Sequence, residues 1–74
     1  KQITADTARL EVSLRLIRSG EAAAALAPLR ESLAADPTDV RARYLLGAAC
    51  LRSGHPACAL EEFEILLDQM PEHN

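Results

Sequence analysis

A fixed spacing of 34 residues relates the two halves of this chain, as between Gly20 and Gly54. Short motifs return at the same offset: Arg18-Ser19-Gly20 as Arg52-Ser53-Gly54, Ala25-Leu26 as Ala59-Leu60, and Pro37 as Pro71. A period of this length is typical of helical repeat arrays, in which each copy is one supersecondary unit. We therefore expect a single domain over residues 1–74, with one copy over about residues 6–39 and the other over about residues 40–73.

The composition favours helices. Hydrophobic residues make up 49% of the chain, Ala and Leu dominate among them, and only Tyr44 and Phe63 are aromatic. Ala has the highest helix propensity and lets helices pack closely. The β-branched residues never alternate over a strand-length run, as they would in a half-buried strand. The sequence therefore predicts an all-α fold of four antiparallel helices.

Glycine and proline mark the expected helix ends. Gly20 is expected to end the first helix in the left-handed conformation, where the absence of a Cβ removes the steric cost. The segment Asp36-Pro37-Thr38-Asp39 predicts a turn and a capping residue, so helix three should begin near Val40. Pro56 suits the first turn of helix four, because its missing N–H is not needed there.

Further positions predict where helix one begins, whether helix two is regular, and how closely helices three and four pack. Thr4 and Asp6 are both suitable N-caps for helix one. Pro28 lies inside helix two, which predicts either a kink there or a regular helix that begins near it, and the Ala run before it favours the kink. Gly47 is a poor helix former, so we expect it to allow close approach of helix four, with Ala59 opposite.

The apolar residues form more stripes than four helices need. Helix one carries two sets with helical spacing: Ala8, Val12, Leu16 and Ser19, and then Leu10, Leu14 and Ile17. Helix four is expected to point five side chains inward: Leu60, Phe63, Leu66, Leu67 and Met70. Since Ile65, Leu66 and Leu67 are consecutive, helix four is apolar over an arc too wide for one contact. This surplus predicts an interface.

These residues resemble the tetratricopeptide repeat, a helix-turn-helix unit of 34 residues. The second copy carries most of the pattern: Leu46-Gly47, Gly54, Ala59, Phe63 and Pro71. The first copy matches at four positions, Gly20, Ala25, Leu29 and Pro37, and has Ser13 and Leu16 where the family has a glycine and an aromatic residue. Arg9 and Arg43 stand where a Trp is common. The resemblance implies a right-handed superhelix of antiparallel helix pairs whose first helices line a concave groove.

The resemblance also assigns the residues of that groove. By position, the first copy would supply Thr7, Leu10, Leu14, Ile17 and Arg18, and the second Arg41, Tyr44, Ala48, Leu51 and Arg52. The family's carboxylate clamp is absent, because Leu10 and Leu14 occupy the positions of its Lys and Asn. An apolar groove edged by arginine instead suits an amphipathic helix or an apolar segment that carries a carboxylate. The alternative is that neighbouring elements or a second copy of the domain cover these side chains.

The sequence gives little support for a catalytic site or a metal site. Cys50, His55 and Cys58 cluster around the second turn, but a zinc site needs about four ligands and the fourth is missing. We interpret Cys50 as a small buried hydrophobe and His55 as a turn residue that caps helix four. A Cys50–Cys58 disulfide stays open, because it requires Cα atoms within ~7 Å of each other. No nucleophile elbow or phosphate-binding glycine loop is present, so we expect no enzyme and no cofactor.

The net charge and its distribution along the chain indicate which classes of partner to expect. The net charge of −3 gives no reason to expect nucleic-acid binding. The last part of the chain is acidic without a base, at Glu61, Glu62, Glu64, Asp68 and Glu72. A solvated helix face is one explanation of these acids, and a basic partner surface is another. No apolar run approaches the ~20 residues of a membrane span, and no signal-peptide pattern is present. A reducing cytoplasm is the default expectation.

Our leading hypothesis is a protein-interaction module that binds an apolar peptide or an amphipathic helix in its groove. One alternative is a homodimerisation or assembly domain in which the same surfaces bury each other. Another is a non-catalytic appendage of a larger bacterial enzyme or secretion component. The Ala- and Arg-rich, Lys-poor composition suggests a GC-rich bacterial genome.

Overall fold

The computed structural model describes residues 5–70, which form four helices and no strand. They are α1 (Ala5–Arg18), α2 (Ala22–Ala35), α3 (Val40–Arg52) and α4 (Pro56–Gln69). Helix α1 packs against α2 and α3, and α3 packs against all three other helices, whereas α4 contacts α3 alone. The all-α prediction is confirmed. The right-handed sense of the superhelix, the repeat limits and the domain span stay predictions.

The sequence offers two candidates for the N-cap of α1, Thr4 and Asp6. Thr4 lies outside the described residues, as does Pro71 beyond α4. Asp6 is part of the first turn of α1 itself, so it is not the N-cap.

Both helix pairs turn through the same hydrogen-bonded motif. After α1, the Glu21 N–H donates to the Leu16 carbonyl at 2.8 Å and the Gly20 N–H to the Ile17 carbonyl at 3.3 Å. After α3, the same two bonds run from His55 to Cys50 (2.8 Å) and from Gly54 to Leu51 (3.2 Å). Gly20 and Gly54 have φ of +88° and +87°, the left-handed conformation that favours glycine in such a helix end. The prediction for Gly20 is confirmed.

The connection between the pairs is also built from local hydrogen bonds. Asp39 caps α3, because its carboxylate accepts from the backbone N–H groups of Arg41 (3.1 Å) and Ala42 (3.2 Å). Asp36 accepts from the Thr38 hydroxyl at 2.6 Å and from the Thr38 N–H at 3.0 Å. These two bonds, with the hydroxyl bond the stronger cause, hold the pKa of Asp36 below its ordinary value. The turn and the start of α3 at Val40 are as predicted.

Helix α2 runs without interruption from Ala22 through Pro28, and Glu21 occupies its N-cap position. The alternative of a regular helix that begins near Pro28 is therefore wrong. Pro56 lies in the first turn of α4, as predicted.

The core lies where α2 meets α1 and α3. Its most buried side chains include Ala25, Leu29, Ala42, Ala49 and Cys50. On α1 the second predicted stripe faces this core through Leu10 and Ile17, together with Ser13, whose hydroxyl donates to the Arg9 carbonyl at 2.8 Å. Of the first stripe, Leu16 packs against the core, whereas Ala8, Val12 and Ser19 are exposed, so this is the stripe that the core does not need.

Helix α4 buries a narrower stripe than predicted. Ala59 and Leu66 are buried and Phe63 is partly buried, whereas Leu60, Leu67 and Met70 are exposed. The physical reason is that α4 contacts α3 alone, and one helix covers only one stripe of another. The inward orientation predicted for Leu60, Leu67 and Met70 is therefore wrong.

The Phe63 ring makes the nearest contact with Gly47, where the sequence predicted Ala59. A Cβ built on Gly47 would lie 2.5 Å from Phe63 Cε1 and 2.8 Å from Cζ. The Phe63 ring also contacts the Tyr44 ring, with 6.1 Å between centroids. The close approach predicted at Gly47 is present, and its partner is the aromatic residue one turn further along α4.

We expect Gly47→Ala to destabilise the protein by about 1–3 kcal/mol, because the added methyl overlaps the Phe63 ring. The effect is opposite to the gain of about 0.5–1 kcal/mol that Ala normally brings to a helix interior. Urea unfolding followed by circular dichroism measures the change. In a Phe63→Leu background the cost of Gly47→Ala should shrink, whereas a stabilising Gly47→Ala would contradict the packing described here.

Candidate protein-binding surface

A disulfide joins the two helices of the second repeat. Cys50 of α3 and Cys58 of α4 are bonded, with their Cα atoms 5.8 Å apart. Cys50 is buried, as predicted, but it is a bonded half-cystine rather than a free apolar side chain. Because the two sulfurs are bonded to each other, neither is a thiolate that could ligate a metal.

His55 occupies the N-cap position of α4, but its side chain makes no capping hydrogen bond. Its Nδ1 lies 3.0 Å from Ser53 Oγ instead. His55 is thus the N-cap residue in the turn, as predicted, but its ring is held within the turn and does not cap the helix with a side-chain hydrogen bond.

The two arginines at the usual Trp position each bridge helices. Arg43 Nη1 lies 2.8 Å from Glu62 Oε1, and Arg43 Nη2 donates to the Pro37 carbonyl at 2.9 Å. The same carbonyl accepts from Gln69 Nε2 at 2.9 Å, so the turn before α3 is tied to α4. Glu62 is therefore a largely buried ion-pair partner, and the prediction of a solvated face is wrong for this residue.

Arg9, the counterpart of Arg43, makes a looser set of contacts. Its Nη1 lies 3.0 Å from Asp6 Oδ1, and its Nε lies 3.8 Å from Glu31 Oε1 on α2. The sequence singled out both arginines as replacements for Trp. Their partners lie at different positions in the two repeats, so the repeat pattern could not identify them.

An apolar depression opens beside α3, between α1 and the end of α4. It has a volume of about 460 Å³ and is lined by Leu14, Val40, Arg41, Tyr44, Leu45, Leu66 and Met70. A smaller depression of about 200 Å³ lies between α1 and α3, lined by Thr7, Leu10, Glu11, Leu14, Arg41 and Leu45. Leu14, Arg41 and Leu45 are common to both, so we refer to the two depressions together as the groove.

The structure brings several of the ten predicted groove residues together. Thr7, Leu10, Leu14, Arg41 and Tyr44 line the groove. Arg18 lies beside it, in a third depression of about 310 Å³ with Glu11, Leu14 and Arg15. Sequence analysis missed Leu45, whose counterpart at the 34-residue offset is the charged Glu11.

The other predicted groove residues lie elsewhere. Ile17 is part of the core, because α3 packs over this face of α1, so its side chain is not available to a ligand. Leu10 lines the smaller depression, but its side chain is buried, so little of it is accessible from the groove. Leu51 is exposed but lines neither depression, and neither does the half-buried Ala48.

The arginines near the groove differ in their partners. Arg41 Nε lies 3.8 Å from Asp39 Oδ1, and its side chain is mostly exposed. Arg52 reaches back to the Ile17 carbonyl at 3.5 Å, which ties the end of α3 to the end of α1. Within residues 5–70, Arg15 and Arg18 form no ion pair. The groove is thus apolar at its floor, with Arg41, Arg15 and Arg18 along one side and Glu11 among them.

Comparison with known proteins supports the resemblance. A family model described as tetratricopeptide repeat matches residues 16–74, most of the chain. Comparison with curated proteins and with solved structures found no significant match. No helix within the described part of the chain is long and apolar enough to cross a membrane.

Proposed function

The chain belongs to the tetratricopeptide repeat family, and we propose that it is a non-catalytic module that binds an apolar segment of a partner protein in its groove. The family generally mediates protein–protein interaction, and this coarser role follows from membership. The groove as the site, and the chemistry of the segment, are our proposal.

The apolar floor of the groove is the observation that carries the proposal. Six of the residues that line its larger depression are hydrophobic, and they come from α1, α3 and α4. Burial of apolar surface provides about 25 cal/mol per Å², and an exposed concave apolar surface on a small domain typically marks a binding site. Leu14 is central, because it lines all three of the depressions described above.

The arginines beside the groove can orient a bound segment. Arg15 and Arg18 are exposed without an ion-pair partner among residues 5–70, and both line the depression next to Leu14, together with the single acidic residue Glu11. A guanidinium binds a carboxylate through two parallel hydrogen bonds, which orients the ligand as well as holding it. We therefore propose that the bound segment combines aliphatic side chains with a carboxylate at one end.

Leu14→Glu is expected to weaken binding at least about tenfold, which corresponds to about 1.4 kcal/mol, because it places a carboxylate in the apolar floor. The probe is a fluorescein-labelled eight-residue peptide with three leucines and a terminal Asp, measured by fluorescence anisotropy. A second probe with Asn-amide in place of Asp should bind more weakly, since it lacks the charge.

Val12→Glu is the matched control, because Val12 lies on the opposite side of the same helix and is likewise partly exposed. It should leave both helicity and affinity unchanged. Equal affinities for wild-type protein and Leu14→Glu would overturn the groove as the binding site. Equal affinities for the Asp and Asn-amide probes would overturn the role of the arginines.

A further inference from the structure

The disulfide of the second repeat joins two cysteines that differ in accessibility. Cys50 lies in the hydrophobic core, with 1% of its surface exposed. Cys58 is only partly buried and lies in the first turn of α4, at the edge of that core. A thiol reagent in solution can therefore approach the bond from the side of Cys58 and is kept away from Cys50.

The first repeat shows that this position stays accessible when a further helix pair packs beside it. The counterpart of Cys58 at the 34-residue offset is Ala24. Helix α3 packs on both helices of the first repeat, and Ala24 is nevertheless exposed. The place that Cys58 holds in the repeat is therefore one that a following helix leaves uncovered.

The first repeat also shows that a helix pair of this kind does not require the bond. Leu16 and Ala24 stand at the positions of Cys50 and Cys58. The two turns have the same backbone hydrogen bonds, and those accepted by the carbonyls of Leu16 and Cys50 are both 2.8 Å long. The disulfide is therefore an addition to a turn that forms without it.

Other contacts hold α4 on α3 when the bond opens. Arg43 Nη1 lies 2.8 Å from Glu62 Oε1, and Gln69 Nε2 donates to the Pro37 carbonyl at 2.9 Å. The Phe63 side chain packs against the core. None of these contacts involves a cysteine, so we expect the helix pair to stay folded after reduction.

We propose that Cys58 is a thiol–disulfide exchange site, through which a dithiol reductant opens the bond in the folded protein and the disulfide form of that reductant closes it again. One thiolate of the dithiol attacks the Cys58 sulfur, and the bond to Cys50 breaks as a mixed disulfide forms. Cys50 leaves with the electron pair and takes up the proton that the attacking thiol released.

A second exchange completes the reduction. The other thiol of the reductant attacks the reductant's own sulfur in the mixed disulfide, which releases Cys58, and Cys58 takes up the second proton. The protein gains two electrons and two protons, and the dithiol becomes a cyclic disulfide. Closure of the bond follows the same steps in reverse.

The surroundings of the two sulfurs assign them different parts in the exchange. Helix α4 has no side-chain cap at its N-terminus, so the first N–H groups of the helix are available to stabilise a Cys58 thiolate. A negative charge on Cys50 would lie in the hydrophobic core, which disfavours it. The step that places charge on Cys50 is therefore the slow one, and a mixed disulfide on Cys58 should accumulate when the reduced protein is oxidised.

Two single-cysteine variants test which sulfur exchanges. Cys50→Ala leaves only Cys58, and Cys58→Ala leaves only Cys50. Each is mixed with dithiodipyridine, a neutral disulfide whose released thione absorbs light, both in buffer and in concentrated urea, so that each thiol is its own control. Folding should slow Cys58 by less than about tenfold and Cys50 by at least about a hundredfold, because only Cys50 is enclosed. Equal slowing of the two thiols, or greater slowing of Cys58, would overturn the assignment.

Wild-type protein tests the same assignment without a substitution. The reduced protein is oxidised with glutathione disulfide and quenched with acid at early times, and its remaining thiols are alkylated. Trypsin cleaves after Arg52 and so places the two cysteines on separate peptides. Mass spectrometry should find at least about ten times more glutathione on Cys58 than on Cys50. Equal amounts, or an excess on Cys50, would contradict the proposal.

The rate of reduction tests whether the bond opens in the folded protein. Below the unfolding transition, the rate with dithiothreitol should change less than about twofold with urea, because the native state itself reacts. If opening required global unfolding, the rate would follow the unfolded population and rise at least about fivefold for each added 1 M of urea. That rise would overturn exchange in the folded protein.

Reduction of glutathione disulfide in the same solutions is the control for the effect of urea on the thiol chemistry. None of these measurements involves a ligand in the groove. This proposal and the groove proposal can therefore fail independently of each other.

Discussion

Replacing Leu29 by alanine is expected to lower the free energy of unfolding by about 2–5 kcal/mol, the range measured for leucines deleted from tightly packed cores. Leu29 has no exposed surface and is the largest of the fully buried side chains in the described part of the chain. A chain of 74 residues has a total stability of about 4–11 kcal/mol at 0.05–0.15 kcal/mol per residue. The substitution therefore removes a large part of the stability.

Leu60→Ala is the matched control for Leu29→Ala. Both leucines lie on the second helix of their repeats, but Leu60 is mostly exposed, so its replacement should change the stability by less than about 0.5 kcal/mol. Urea unfolding of the two variants gives both values. Equal losses would contradict the burial pattern, because the same side chain is removed in each case.

Reduction of the disulfide should destabilise the protein by about 2–3 kcal/mol. Cys50 and Cys58 are separated by 8 residues, and closing a loop of that length removes roughly this amount of chain entropy from the unfolded state. Unfolding with and without a reductant measures the difference. A Cys50→Ala, Cys58→Ala double variant should resemble the reduced protein and should not respond to the reductant.

A thiol assay under denaturing conditions is the control for the bond itself, because an intact disulfide leaves both sulfurs unreactive. Titration of two free thiols in protein that was never reduced would contradict the pairing. The pairing also bears on location, since disulfides persist in oxidising compartments and are rare in a reducing cytoplasm.

Features set by neighbours along the chain could be predicted from sequence. Gly20 and the start of α3 at Val40 follow from backbone conformation and local hydrogen bonds, which involve residues at most five positions apart. The same is true of Pro56 at the start of α4. Such signals do not depend on the rest of the molecule, and the 34-residue repeat presents most of them twice.

Contacts between helices were predicted less well. The sequence predicted Ala59 opposite Gly47, and only the packing of α4 on α3 shows that the Phe63 ring makes the nearest contact. The Arg43–Glu62 pair joins residues 19 positions apart, and no counterpart exists at the 34-residue offset, where Pro28 stands in place of Glu62. Helix α3 packs over Ile17 of α1 and removes it from the groove, whereas Leu45 on α3 itself lines the groove.

The sequence by itself determined the helices, their ends and the family to which the repeat belongs, because these depend on local backbone chemistry and on spacing. Only the tertiary structure decided which apolar residues are buried and which are exposed. The two repeats have similar stripes, but α3 covers the stripe of the first repeat, and no described helix covers that of the second. Residues such as Ile17 and Leu51 hold the same place in the repeat and differ in exposure because burial depends on the neighbouring helix, which the pattern within one repeat does not contain.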